Sequence, residues 1–103
     1  MGNKDVIKKI IYEAFNKAKN ESLLVLKTPL SKHISSKIEK EYKTCISDKT
    51  FIRYYDKYIG GREKATGEPN RHILDFLCKY IGYENFVDFY NKEKKLPIKK
   101  QII

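Results

Sequence analysis

The feature that most restricts the fold is a series of apolar stripes at helical spacing, separated by proline and glycine signals. In "PLSKHISSKIEKEYK", Leu30, Ile34, Ile38 and Tyr42 recur four residues apart. Similar stripes run through "KDVIKKIIYEAFNKAKN", "SDKTFIRYYDKYIGG", "RHILDFLCKYIGY" and "ENFVDFYNK". The pattern predicts an all-α fold, a small single-domain bundle of about five helices.

The first boundary is ambiguous. Helix one is predicted from about Asp5 to Lys19, and "ESLLVLKT" follows as either a short buried extended segment near residues 22–27 or an extra helical turn. Pro29 starts helices well and disfavours helix in Thr28 before it, so we expect the second helix to begin there.

The stretch from residue 71 to 81 has the broadest apolar face, and we expect it to be the most buried helix. Leu74, Leu77 and Ile81 are predicted at the centre of the core, with Phe51 and Phe86 against them.

A chain of 103 residues matches one domain. We assign residues 1–91 to a helical, helix-turn-helix-like domain and residues 92–103 to a basic C-terminal tail or linker. The tail ends abruptly in apolar residues, which suggests that the natural chain continues and leaves open a membrane span after residue 103.

The net charge is +9 and is unevenly distributed. Residues 65–91 sum to −2, whereas residues 30–64 and residues 92–103 each sum to +4. This asymmetry suits an anionic partner, either nucleic acid or a membrane surface. The alternative is that Lys, with 19 copies against three of Arg, is simply the default solvated residue of this chain.

Residues 47–59 predict a helix with two unlike faces. Phe51, Ile52, Tyr55, Tyr58 and Ile59 form the core side. Lys49, Arg53 and Lys57 lie opposite, with Thr50 and Tyr54 beside them.

The order of helix, short turn "TCIS" and helix across residues 30–59 matches a helix-turn-helix, whose second helix enters the major groove of DNA. The base-side candidates are Lys49, Thr50 and Arg53. The phosphate-side candidates are Lys57, Lys32, Arg62 and Lys64. The same helical pair also serves as scaffolding in many proteins, so both interpretations stay open.

The chain has no arrangement typical of an enzyme. His33 and His72 lie far apart, with His33 expected to be partly buried and His72 solvated. Cys45 and Cys78 lack zinc-site spacing and are expected to be reduced thiols. No phosphate-binding glycine loop, cofactor motif or signal peptide is present in the sequence. We therefore expect a non-enzymatic cytoplasmic protein without metal or cofactor.

The motifs "LSKHI", "ISDKTFIRYY" and "ILDFLCKYIGYENFVDF" resemble a small domain found at the N-termini of uncharacterised Bacteroidetes proteins. The matching polar and glycine positions include Ser31, Ser47, Arg53, Asp75 and Gly82. The resemblance covers roughly residues 30–91 and implies a helix-turn-helix-like regulator or adaptor. That family often has "TLKR" where this chain has "TFIR", so one cation of the second helix is missing here.

Two functions follow as alternatives. One is a DNA-binding module for transcription regulation, acting through the basic face of residues 47–64, with a homodimer as one route to useful affinity. The other is a protein-interaction adaptor at the N-terminus of a larger signalling or defence protein. The adaptor interpretation is favoured if an aromatic patch, such as Tyr54 with Tyr12 or Tyr90, lies bare and contiguous.

Overall fold

The computed structural model describes residues 3–62 and 68–93, and every regular element within them is helical. The elements are α1 (Asn3–Ser22), α2 (Lys27–Tyr42), α3 (Asp48–Tyr54), a π-helical turn that continues α3 (Tyr55–Ile59), α4 (Arg71–Tyr80) and α5, residues 86–93. The prediction of an all-α domain with about five helices is confirmed.

The core is built around α1 and α2. Helix α1 contacts α2, α4 and the π-helical turn, and α2 contacts α1, α3 and α4. The predicted stripe of α2 is confirmed, because Leu30, Ile34 and Ile38 are fully buried. The buried face of α1 consists of Ile10, Ile11, Ala14, Phe15 and Ala18.

The prediction for the centre of the core is correct for Leu74 and Leu77 but wrong for Ile81, which is only half-buried. Phe51 is fully buried, and the half-buried Phe86 packs against the core, as predicted. Helix α4 ends at Tyr80, and Ile81 lies in the turn that follows. There Gly82 has a φ of 105°, a conformation that favours glycine. After this reversal α5 turns Phe89 into the core, and Cys78 and Tyr80 of α4 are also fully enclosed.

The segment between α1 and α2 differs most from expectation. Residues 23–26 form neither a buried extended segment nor a further helical turn, because α1 ends at Ser22 and all four side chains are exposed. Helix α2 starts at Lys27, so Thr28 is helical although it precedes Pro29. Pro29 is tolerated because it lies in the first turn, where a backbone N–H needs no helical partner.

Two of the four acids of residues 65–91, Asp75 and Asp88, accept hydrogen bonds around the start of α5. Asp75 Oδ1 accepts a hydrogen bond from the Phe86 N–H at 2.9 Å. Asn85 Oδ1 accepts from the Asp88 N–H at 2.8 Å, and Asp88 Oδ2 accepts from the Glu84 N–H at 3.0 Å. These bonds satisfy free amides at the start of α5, so the local negative charge has a structural use.

A group of hydrogen bonds between polar groups joins α1, α2 and α4. Tyr80 donates its hydroxyl hydrogen to Glu21 Oε1 at 2.8 Å, and His33 Nε2 lies 2.9 Å from the same oxygen. Lys17 Nζ donates to the Tyr80 carbonyl oxygen at 2.5 Å. His33 is thus partly buried as predicted, and His72 is exposed as predicted.

Lys92 and Glu93, assigned to the tail, are the last described residues of α5. Lys9 Nζ lies 2.9 Å from Glu93 Oε2, which connects this end of α5 to α1. The rest of the predicted tail, residues 94–103, lies outside the described residues, as does Lys64.

Candidate nucleic-acid interface

Helix α3 starts where its sequence predicts. Ser47 is the N-cap, and its hydroxyl oxygen accepts a hydrogen bond from the Lys49 N–H at 3.2 Å. Asp48 lies in the first turn, where its negative charge complements the helix dipole. The start of the proposed recognition helix is therefore fixed by its own first residues.

The connection between α2 and α3 is held by α2 rather than by a glycine. Lys43 takes the left-handed conformation, with a φ of 55°. Ser35 donates its hydroxyl hydrogen to the Ile46 carbonyl oxygen at 2.5 Å, and the Ile46 side chain is buried. Because α2 and α3 also contact each other, the pair is joined both by its turn and by packing.

The predicted cationic row is exposed at two of its three positions. Lys49 and Arg53 are exposed on α3, whereas Lys57 is half-buried. The Lys57 ammonium lies 5.6 Å from the centre of the Tyr58 ring, a cation–π contact within the π-helical turn. The exposed basic surface of α3 is thus narrower than the row in the sequence.

The other residues predicted to contact DNA differ in how exposed they are. Lys32 of α2 and Arg62 after Gly61 are exposed, and Thr50 is half-buried in the first turn of α3. Arg62 is placed by its backbone, whose N–H donates to the Asp56 carbonyl oxygen at 2.9 Å.

The placement of Tyr54 contradicts the prediction. It was expected beside the cations, but it is buried and meets Phe51 edge to face, with ring centres 6.1 Å apart. Burial raises the pKa of Tyr54 to about 12. The buried face of this segment is centred on Phe51, Tyr54 and Tyr58, with Ile52 and Ile59 at its margins, so the core side is rotated from the predicted one.

Several cations elsewhere in the domain have partners. Lys27 Nζ lies 2.5 Å from Asp56 Oδ1, and Lys79 Nζ donates to the Glu84 carbonyl oxygen at 2.8 Å. Further ion pairs join Lys9 to Glu93, Lys17 to Glu21, Arg71 to Asp75 and Lys92 to Asp88.

The exposed cations of the candidate interface are not paired with an acid in the described part of the chain, a property that they share with Lys8, Lys19, Lys37, Lys40 and Lys43. Within the described residues, the side chains of Lys32, Lys49, Arg53 and Arg62 have no acidic partner. Glu39 and Glu41 of α2 also face solvent, so the surface is not purely basic. The free charges of α3 are nevertheless available to an external anion.

The described residues offer little for other chemistry. No group of three or more His, Cys, Asp or Glu side chains in this part of the chain could hold a metal ion. Cys78 is buried, Cys45 is exposed, and neither is in a disulfide. No helix in the described ranges combines the length and apolarity needed to cross a membrane.

Comparison with known proteins adds no assignment. No family model, no curated protein and no solved structure matches the chain. The arrangement of the residues themselves is therefore what bears on function.

Proposed function

We propose that this domain binds duplex DNA through the surface of α3 that carries Lys49 and Arg53. The observation that carries the proposal is that these two side chains are exposed one helical turn apart on α3 and have no acidic partner among the described residues. Cations without local partners are free to neutralise phosphates and release counterions, which drives nonspecific DNA binding.

The helix pair supplies the geometry for this proposal. A second helix held against the first by a short connection is the arrangement that places side chains in the major groove. Arg53 is the candidate for base recognition, since its guanidinium can donate two hydrogen bonds to guanine. Lys32, Lys57 and Arg62 are the candidates for phosphate contacts, with Lys49 and Thr50 at the start of the helix.

The adaptor alternative loses one observation that would favour it. Tyr54 is buried, so it does not form a bare aromatic patch with Tyr12 or Tyr90. The transcription-regulating interpretation is therefore the one we develop, and an adaptor role becomes the conclusion if no duplex binds.

The test is a titration of labelled duplex with the full chain at about 50 mM salt, where electrostatic binding is strong. Lys49→Ala/Arg53→Ala should weaken binding at least about tenfold, because two phosphate or base contacts are lost. The matched control is Lys8→Ala/Arg71→Ala, which removes one lysine and one arginine from exposed positions on α1 and α4. Equal binding by the two double variants would show that the α3 surface is not the DNA site.

Single variants separate the two kinds of contact. Arg53→Ala should flatten the preference among duplex sequences, whereas Lys32→Ala should weaken binding to every sequence alike. If Arg53→Ala preserves the sequence preference, base recognition lies elsewhere.

A further inference from the structure

The loop between α1 and α2 exposes four consecutive apolar side chains. We call residues 23–26 the apolar loop: Leu23 is 86% exposed, Leu24 39%, Val25 70% and Leu26 68%. Single exposed apolar residues are ordinary, but a contiguous group of this kind marks a surface that meets another phase or molecule. DNA has no matching apolar surface, so the loop is not explained by the proposed function.

Local stability does not explain the apolar loop either. Leu23 has a φ of 63°, a left-handed conformation that a leucine adopts at a cost of about 1 kcal/mol. Leu26 occupies the N-cap of α2 and provides no side-chain hydrogen bond, where Ser, Thr, Asp or Asn would cap the helix. Two leucines therefore stand at positions that the fold alone would give to polar residues.

Cations surround the apolar loop. Lys19 is exposed one turn before it, and its carbonyl oxygen accepts the Leu23 N–H at 2.8 Å. Lys27 follows the loop directly and pairs with Asp56, whose carbonyl oxygen also accepts the Arg62 N–H. The loop thus has Lys19 on one side and Lys27 with Arg62 on the other.

The acids close to the apolar loop are already engaged. Asp56 is paired with Lys27, and Glu21 lies near Lys17, His33 and the Tyr80 hydroxyl. The surroundings of the loop therefore present free positive charge rather than free negative charge.

We propose that the apolar loop inserts into the interfacial region of an anionic lipid bilayer, with Lys19 and Arg62 at the headgroup phosphates. Apolar side chains that enter the acyl boundary while nearby cations meet anionic lipid give reversible surface binding. A second copy of this chain is a poorer occupant, because two molecules of net charge +9 would bring like charges together at the loop. The DNA surface at Lys49 and Arg53 lies on other residues, and Arg62 is the one residue assigned to both surfaces.

The test is flotation of the full chain with vesicles of phosphatidylcholine alone or of phosphatidylcholine mixed with phosphatidylglycerol. The wild type should float with the mixed vesicles and much less with phosphatidylcholine alone. Leu23→Asn/Val25→Ser/Leu26→Ser should lower binding to the mixed vesicles at least about tenfold, because the buried apolar area is lost. The single change Val25→Ser has a matched control in Val87→Ser, an exposed valine on α5 that should bind like wild type.

Unfolding of the triple variant would not account for its loss of vesicle binding. Asn tolerates the left-handed conformation at position 23 and Ser caps α2 at position 26, so the triple variant should melt at or above the wild-type temperature. Lys49→Ala/Arg53→Ala should keep at least half of the vesicle binding, which separates this inference from the proposed DNA site.

Two outcomes would overturn the proposal. Equal binding of wild type and triple variant would show that charge alone attracts the chain to vesicles. Absence of vesicle binding would rule out the bilayer as the partner of the apolar loop. Self-association that the triple variant abolishes would then assign the loop to a protein contact.

Discussion

The Glu21 carboxylate is surrounded by side chains from distant parts of the chain. Burial raises its pKa, but hydrogen bonds from His33 and Tyr80, with the charges of Lys17 and Lys37, outweigh burial and leave the pKa below its usual range. These partners lie on α1, α2 and α4, so the ionised carboxylate holds three helices together. A carboxyl group with a lowered folded-state pKa stabilises the fold when ionised.

Glu21 should therefore make stability dependent on acid pH. Its contribution is complete above the ordinary carboxyl pKa of about 4.3 and is lost as the pH falls through the lower folded-state value. At neutral pH, Glu21→Gln should reduce the free energy of unfolding by about 1 kcal/mol, since hydrogen bonds to a charged acceptor are weakened. The difference between the two proteins should shrink as denaturant unfolding is repeated below about pH 4.

Two comparisons make this pH dependence specific. Glu39→Gln changes an exposed carboxylate of α2 and should leave stability nearly unchanged at every pH. Burial raises the pKa of Glu13, so its effect on stability changes with pH in the opposite sense to that of Glu21. Because Glu13 is present in both wild type and Glu21→Gln, its effect cancels when the two proteins are compared. A gap between wild type and Glu21→Gln that stays constant down to the lowest pH would contradict the assignment.

The position of Tyr54 in the structure differs from the one that the helical pattern of the sequence predicts. In the sequence it neighbours the cations, and periodicity alone allows the buried face to be centred on either side of Phe51. Packing settles the choice, because burying Tyr54 removes a large apolar ring from water. The pattern of apolar residues therefore leaves the centre of the buried face uncertain by one residue along the helix.

At the level of elements, the number and type of helices could be predicted because each has its own stripe and its own stop signal. Gly82 ends the turn after α4, and Asn70 caps α4 by accepting the Ile73 N–H at 2.8 Å. These signals act within a few residues, so the sequence displays them directly.

The relative depth of the helices could be predicted in the same way. The broadest apolar stripe belongs to α4, and α4 has the largest share of buried residues, namely Leu74, Leu77, Cys78 and Tyr80 among its ten. The apolar loop was misjudged, because hydrophobicity alone does not distinguish a core segment from an exposed one.

Leu77 is the element-scale test of the core. Its side chain is fully buried on α4, so Leu77→Ala should reduce the free energy of unfolding by about 2–5 kcal/mol through lost contacts and a residual cavity. Val87→Ala on α5 is the control, since the Val87 side chain is exposed and should cost much less. Denaturant unfolding followed by circular dichroism measures both, and an equal effect of the two changes would remove Leu77 from the core.

At the scale of the whole molecule, charge opposes folding while it favours an anionic partner. The chain carries 22 basic and 13 acidic residues. Several cations are paired, such as Lys27 with Asp56, but the exposed cations of α2, α3 and the following loop repel one another. Added salt screens this repulsion and also screens attraction to phosphates, so stability and DNA binding should respond to salt in opposite directions.

We expect the melting temperature to rise by a few degrees between about 10 and about 200 mM NaCl, as the Debye length falls from about 30 Å to below 10 Å. Lys49→Glu/Arg53→Glu lowers the net charge from +9 to +5, since each change removes two positive units, and should flatten this rise. The exchange Lys49→Arg/Arg53→Lys preserves the charge and should keep the wild-type slope. A melting temperature that falls with salt would mean that ion pairs such as Lys9 with Glu93 contribute more than repulsion costs.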